Sequence, residues 1–362
     1  MNVPSKLTES YILSNELIQK HESRHWKKLN QPKRDVFFNS LNKNFSQIEK
    51  FRSDKLLSKG LDDAVEKKFI PEVFFKLLEN HDWKKVLDYM QDRNIGESNH
   101  SINIFDKFVD YNELFLIDFA CKLQEYALDS LSEPIICEIG GGYGALARMI
   151  SSHNKCKYIL IDLPEANLIS SYYLDQHFAS HGKKILYFCD LNKDNISYED
   201  IHDFDFIVLP PNVRFLDNLK VDLFINTRSM MEMQSGTINE YFKLIQSNID
   251  EKGYFLNINR YIKRTVGENI MISRYPYDKN WRVKVSEKSF LQDHIHFLLT
   301  QRDFSDNNEI FEELSRLEDE AKNYFESNFS IYSRKFLNVL KSIIPSGIKN
   351  KIKSLLVTNK PE

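Results

Sequence analysis

Glycine is scarce in this chain: 11 among 362 residues, with none before Gly60. That usage is well below average and excludes collagen-like and glycine-rich low-complexity architectures. Cysteine is also sparse. Cys121, Cys137, Cys156 and Cys189 are widely spaced with no CxxC pair, which excludes a disulfide scaffold and a zinc ribbon. Three of them lie in apolar stretches and read as reduced thiols packed in a core, so a cytoplasmic setting is expected. The net charge is only -3, so no global excess of cations points to nucleic acid. No run of about 18 apolar residues is present to span a membrane. The opening "MNVPSKLTESYILSNELIQK" lacks the apolar stretch of a signal peptide. No internal repeat is found. What is there is 42% hydrophobic and 28% charged, a globular composition with enough length for one large domain or two.

Residues 1–110 are expected to form a helical region serving as a cap or a dimerisation surface. "SNELIQKHESRHWKKL" and "PEVFFKLLENHDWKKVLDYMQD" both carry apolar residues at helical spacing. A long helical pattern, "YNELFLIDFACKLQEYALDSL" (111–131), ends at Pro134. Beyond it short apolar runs alternate with helical patterns. "IICEI", "KYILIDL", "ILYFCDL", "DFIVLP", "VDLFIN" and "GYFLNINRYI" read as strands. "ALARMISSH", "EANLISSYYLDQHF" and "TINEYFKLIQSNI" read as helices, the last with Thr237 and Glu240 as a capping box. Alternation of this kind predicts an α/β fold over 111–304, a doubly wound Rossmann-like parallel sheet. A helical tail over 305–362 turns basic and amphipathic from about 334, and peripheral contact with an anionic membrane is one expectation for it. Docking on its own domain is the other.

Four of the 11 glycines fall within five positions: Gly140, Gly141, Gly142 and Gly144, in "ICEIGGGYGALARMI". In a first βα turn, glycine lets the backbone take positive φ and approach a ligand closely. Gly140-x-Gly142-x-x-Ala145 fits the dinucleotide pattern. The same letters read Glu138-x-Gly140-x-Gly142-x-Gly144, the first motif of class I methyltransferases. A carboxylate at the end of the first strand suits the cationic methionyl end of S-adenosylmethionine and not a pyrophosphate. Asp162, ending the second strand, can accept both ribose hydroxyls. Asp190, ending the expected third strand, can accept from an adenine amino group, with Leu163 and Leu191 flanking the ring. Gly141 falls outside both patterns.

With "EIGGGYGALARMI" (138–150), "YILIDLPEANLISSYYL" (158–174), "DLFINTRSMMEM" (222–233) and "GYFLNINRY" (253–261), the chain resembles the class I S-adenosylmethionine-dependent methyltransferases. More narrowly, it resembles the bacterial sugar O-methyltransferases associated with surface-polysaccharide gene clusters. The resemblance covers roughly residues 90–300 and implies methyl transfer from S-adenosylmethionine to a sugar hydroxyl, on a glycan or a nucleotide-linked precursor. "EIGGGYG" and "IDLP" are also similar to plant small-molecule O-methyltransferases, but the histidine base of that group has no counterpart after the fourth strand here.

A sugar hydroxyl benefits from a general base, by roughly 10²–10⁴-fold. Glu232 in "NTRSMMEM" is the first candidate and His294 in "QDHIHFLL" the second. Asn226, Arg228 and Ser229 after the fourth strand, and Asn257, Asn259 and Arg260 at the end of the next, are candidates for acceptor binding. Ser229-x-x-Glu232 also reads as a helix capping box. His294 and His296, two apart, can suit a metal, although no carboxylates cluster nearby and no metal is expected. Trp281 and Tyr275 can stack on a sugar or simply pack. Two other function classes stay open: a nicotinamide-dependent sugar oxidoreductase, and a non-catalytic methyltransferase-fold scaffold. No Tyr-x-x-x-Lys pair lies near the fourth or fifth strand to support the first.

Overall fold

A computed structural model of the chain describes residues 3–21, 45–53, 63–99, 101–191, 193–265, 267–305 and 308–324. Three helices open it: α1 (Val3–His21), α2 (Asp63–Asn80) and α3 (Trp83–Tyr89), with a 3-10 turn at Phe45–Lys50 between the first two. A hairpin, β1 (Ile102–Ile104) and β2 (Lys107–Val109), leads into α4 (Tyr111–Tyr126). The α/β part follows as β3 (Ile135–Ile139), α5 (Ala145–His153), β4 (Lys157–Ile161), α6 (Pro164–Phe178), β5 (Ile185–Leu186) and α7 (Phe188–Leu191). After β6 (Asn195–Ile196) and α8 (Tyr198–Ile201) come β7 (Phe206–Leu209), β8 (Arg214–Phe215), β9 (Val221–Thr227), α9 (Ser235–Asn248) and β10 (Ile249–Arg260). The hairpin β11 (Ile262–Thr265) and β12 (Glu268–Met271), then β13 (Trp281–Lys288), β14 (Ile295–Arg302) and α10 (309–324) complete the described chain.

Eight strands form one sheet in the order β13-β14-β10-β9-β3-β4-β7-β5. The six from β10 to β5 run parallel, and β14 lies antiparallel between β10 and β13. The fold is therefore α/β, Rossmann-like and doubly wound, as the alternation predicts. Strand periodicity explains the two-sided core. Ile136, Tyr158, Leu160 and Ile225 face Leu123, Leu146 and Leu174 of α4, α5 and α6. Cys137, Ile139, Ile159 and Phe224 face Phe242 and Ile245 of α9 and Leu317 of α10. From β3 the chain builds outward to β4 and β7, then returns to β9 on the other side of β3. The topological switch, where such sheets bind ligands, lies between β3 and β9.

Some local expectations change. "ILYFCDL" is a strand only at Ile185–Leu186 and then turns helical at Phe188–Leu191, and β7 lies between it and β4. The helical pattern of 71–92 breaks at His81-Asp82, because the Asp82 carboxylate accepts from the amides of Lys84 and Lys85 and starts a new helix. α4 stops at Tyr126 rather than 131. Helix α9 begins at Ser235, so Thr237 is inside it rather than its cap. The region before α4 is not all helix, since β1 and β2 pair there. Cys121, Cys137 and Cys156 are buried and unpaired. Among the described residues no helix is long and apolar enough to cross a membrane. The basic segment from about 334 lies outside the described residues.

The N-terminal region is tied to the α/β part by a buried ion cluster. Arg52 donates from Nη2 to Asp110 and, at 3.2 Å, to Glu113. Asp110 and Glu113 form the capping box of α4, and Gln91 also donates to Glu113. Tyr143, inside the glycine turn, donates its hydroxyl to Glu113 at 3.3 Å. Burial alone would depress the Arg52 pKa, but Glu113 and Asp110 beside it hold it well above the ordinary value. Removing the cation strands two withdrawn carboxylates. Arg52→Met should therefore cost about 3–5 kcal/mol in a denaturant titration. A loss below about 1 kcal/mol would show that the cluster does not anchor the region.

Candidate functional site

The glycine turn follows β3 directly. Gly140, Gly142 and Gly144 have φ of 79, 58 and 85°, values at which a side chain is strained. A Cβ on Gly140 would lie 2.0 Å from Ser229 Oγ, so this glycine is where the turns after β3 and β9 touch. A Cβ on Gly142 would meet nothing within 4 Å, which is the open position of the turn. Gly141 gains a role that its sequence position does not give: a Cβ there would lie 3.1 Å from Glu138 Oε2 and 3.0 Å from Leu160. The turn thus roofs the Glu138 carboxylate.

Glu138 is 1% exposed. Its Oε2 accepts from the Tyr158 hydroxyl at 2.9 Å and its Oε1 from Thr227 Oγ1 at 3.4 Å. Burial pushes its pKa up to about 7, against the pull of the Tyr158 hydrogen bond. Asp162 accepts from the Gly142 amide at 2.8 Å through Oδ2 and from the Leu163 amide at 2.7 Å through Oδ1. Burial raises it to about 6, and the two amides oppose the shift. Each Asp162 oxygen has a further lone pair. Leu163 is 48% exposed beside it, an apolar face open to a ring. Glu138, Asp162, Gly140, Gly142 and Gly144 are thus gathered at the switch point.

Asp190 and Leu191 are not brought beside β4. They sit on α7, beyond the edge strand, where Asp190 pairs with Lys6 of α1 at 2.8 Å. The neighbour of β4 is β7, whose end leads into Pro210 and Pro211.

The polar run after β9 is mostly internal structure. Asn226 is fully buried and donates to Ile139 O at 2.8 Å and to Ser229 Oγ; its Oδ1 accepts from Met230 N and Asn259 Nδ2. All four of its hydrogen-bonding positions are used. Ser229 donates to the same Ile139 carbonyl at 3.0 Å and makes no capping bond. Asn259, also buried, donates to Asn226 and Asn257 and accepts from Met231 N. Asn257 donates to the Tyr277 hydroxyl at 3.2 Å. These amides hold the turn at Met230–Glu232 against the ends of β3 and β10 and do not face a ligand. The sequence shows their polarity but not that their partners are one another.

Arg228 differs. It takes a left-handed conformation, φ 62°, which costs a non-glycine residue about 1 kcal/mol. Its amide bonds Ile258 O at 2.7 Å, and its guanidinium lies over the Phe115 ring of α4 at 5.9 Å. Burial, and then Arg260 beside it, depress its pKa. His294 is half-buried, and burial followed by Arg260 lowers its pKa below the ordinary value, so it is a neutral imidazole at pH 7. Glu232 forms an ion pair with Lys263 and is 60% exposed, a poorer place for a base. His296 is fully buried, contacts Tyr261 and Ser286 hydroxyls, and is pushed down to about 3 by burial; these are core contacts. Trp281 and Tyr275 pack with Phe242, Phe255 and Tyr277 in the core rather than on a cleft.

Three contributors to the site escape a reading by motif: Tyr158 and Thr227, which hold Glu138, and Phe115, which faces Arg228. Their hydroxyl and ring roles depend on strand register, and only the end position of Thr227 on β9 could have signalled it. A cavity of about 450 Å³ opens at the other end of the sheet, lined by Arg93, Arg148, His153, His177 and His181 near the carboxyl ends of α5 and α6; it is separate from the glycine turn.

No family model and no curated protein matches the chain. Over 53% of its length it is similar to the mitomycin 7-O-methyltransferase MmcR, at 13% identity and a TM-score of 0.33, the match spanning 57% of that protein. Over 50% it is similar to a SAM-dependent methyltransferase from Aquifex aeolicus, at 13% identity and a TM-score of 0.31, spanning 87% of that protein. Over 53% it is similar to an RNA methyltransferase from Salinibacter ruber solved with S-adenosyl-L-homocysteine, at 6% identity and a TM-score of 0.32, spanning 95% of that protein. Scores this low assign no role to any residue here.

The contact between the two turns generates a test. Gly140→Ala should destabilise the protein by about 2–4 kcal/mol, combining overpacking and left-handed strain. Adding Ser229→Gly removes the clashing atoms, so the double variant should recover about 1–3 kcal/mol relative to additivity. Additive losses in a denaturation cycle would mean that the turns do not press on each other.

Proposed function

We propose that this chain is an S-adenosylmethionine-dependent O-methyltransferase whose acceptor is a sugar hydroxyl, on a surface polysaccharide or its nucleotide-sugar precursor. The observation that carries the cofactor is the placement of Glu138 under the glycine turn, with Asp162 bonded to the turn's own Gly142 amide. A sulfonium and an ammonium are stabilised over a withdrawn carboxylate, whereas a pyrophosphate is repelled. In this reading Asp162 accepts from the ribose hydroxyls and Leu163 packs on the adenine face. The word "sugar" rests on the sequence resemblance alone. Calorimetric titration should give micromolar binding of S-adenosylhomocysteine and none of NAD; binding of NAD alone would replace this reading with the oxidoreductase one.

The carboxylate also sets a pH dependence. Burial pushes the Glu138 pKa up to about 7, and a cation prefers its ionised form. S-adenosylmethionine affinity should therefore be weak below about pH 6, rise through 7 and level above about 8. Glu138→Gln should flatten that curve; an unchanged profile in the variant would remove Glu138 from the cofactor site.

Methyl transfer from a sulfonium needs mainly alignment of donor and acceptor, plus removal of the hydroxyl proton. We assign that proton to His294, neutral at pH 7 and beside Arg228 and Arg260. His294→Gln should lower kcat about 100-fold with little change in KM, in an assay of S-adenosylhomocysteine release with a panel of nucleotide sugars. Glu232→Gln should stay within threefold. The reverse order would transfer the base to Glu232.

A further inference from the structure

On the acceptor side of the cleft two arginines lack an ion-pair partner among the described residues. Sheet register places the ends of β9 and β10 side by side, with Thr227 opposite Ile258 and Arg260 opposite Ile295. Arg228, Arg260 and His294 therefore share one corner, and the field of Arg260 acts on both of the others. Arg260 Nε is buried with no hydrogen-bond partner. Among the described residues, neither Arg228 nor Arg260 has a carboxylate within ion-pair distance. Arg52 and Arg302, whose side chains are 6% and 5% exposed, each have one or two. Glu232, the acid whose field reaches Arg228, is taken by Lys263. Asp293 lies 3.6 Å from His294 and is 70% exposed. Half-buried like charges held close with no counter-ion are unfavourable, and left-handed backbone at Arg228 adds strain at the same point. A folded protein retains such an arrangement where a ligand completes it.

We propose that this corner is an oxyanion subsite, in which the Arg228 and Arg260 guanidinium groups hold a phosphoryl or carboxylate group of the acceptor. The proposal rests on the methyltransferase reading of the cleft and narrows it: the acceptor is an acidic or phosphorylated sugar, not a neutral one. Planar guanidinium forks match both oxyanions in a bidentate manner. The geometry also sorts charge along the chain. Thr227 reaches Glu138 on the cofactor side, and Arg228, the next residue, turns to the Phe115 side. A cationic donor at Glu138 and an anionic acceptor at Arg228 are thereby addressed by successive residues, with the imidazole of His294 beside Arg228 and Arg260.

The test uses the full chain, saturated with S-adenosylhomocysteine, in calorimetric titrations with glucose, glucose 1-phosphate and glucuronate. At least one of the two acids should bind tenfold or more tightly than glucose; the phosphate arm and the carboxylate arm identify the source. The double variant Arg228→Gln/Arg260→Gln should erase that preference while its S-adenosylhomocysteine affinity stays within threefold, which also certifies its fold. Arg228→Lys/Arg260→Lys should retain part of the preference. Equal binding of all three sugars, or a preference that survives in the glutamine variant, overturns the proposal. So does a parallel loss of S-adenosylhomocysteine affinity, which assigns the arginines to the cofactor's own carboxylate. Acid preference in a protein that never binds S-adenosylhomocysteine supports the subsite while refuting the methyltransferase reading; cofactor binding without acid preference does the reverse.

Discussion

One carbonyl oxygen joins the two halves of the cleft. Ile139 ends β3, and its oxygen accepts from both Asn226 Nδ2 and Ser229 Oγ of the turn after β9. At a switch point adjacent strands send their chains in opposite directions, so nothing in the sheet ladder holds the diverging turns together. The two bonds to Ile139 supply that link, and they require Gly140 to be bare because Ser229 occupies the space of its Cβ. From this contact the rest follows. The turn stays low over Glu138, Thr227 stays within reach of the carboxylate, and Arg228 is forced into its left-handed bend. The amide chain through Asn259, Asn257 and Tyr277 extends the same brace across β10. A buried, fully satisfied network of this kind is rigid, and a half-satisfied one would be costly.

The N-terminal region participates in the same brace. Tyr143 lies within the glycine turn, yet its hydroxyl reaches Glu113 of α4, and its ring packs on Phe51 and Tyr173. Arg52 lies over that ring at 5.4 Å. The backbone of the glycine turn is therefore fixed from outside the sheet by residues that precede it by some ninety positions in the chain. A region without recognisable motifs contributes the cation that neutralises the capping box of α4, and α4 in turn carries Phe115 under the Arg228 guanidinium.

The sheet, the glycine turn and the two acids at the ends of β3 and β4 were legible in the sequence, because each depends on a local pattern: strand alternation, positive φ, a carboxylate at a strand end. Sheet order was not. "ILYFCDL" and "DFIVLP" are similar apolar runs, and only packing decides that β7 lies beside β4 and sends Asp190 to the edge with Lys6. Polarity was legible in "INTRSMMEM", but its use was not. Asn226 and Asn259 are about thirty residues apart and satisfy each other, whereas Arg228, between equally polar neighbours, is the one left without a partner of opposite charge. Gly141 shows the same limit: it fits no ligand motif because its close neighbour is a side chain of the protein itself.

Glu138 has one further consequence. A carboxyl that titrates near neutrality is a proton store as well as a charge. In the proposed reaction the donor arrives as a sulfonium and leaves as a neutral thioether, so the pull that keeps Glu138 ionised weakens at the moment of transfer. Under that proposal, exchange of spent cofactor for fresh is coupled to release of a proton from Glu138.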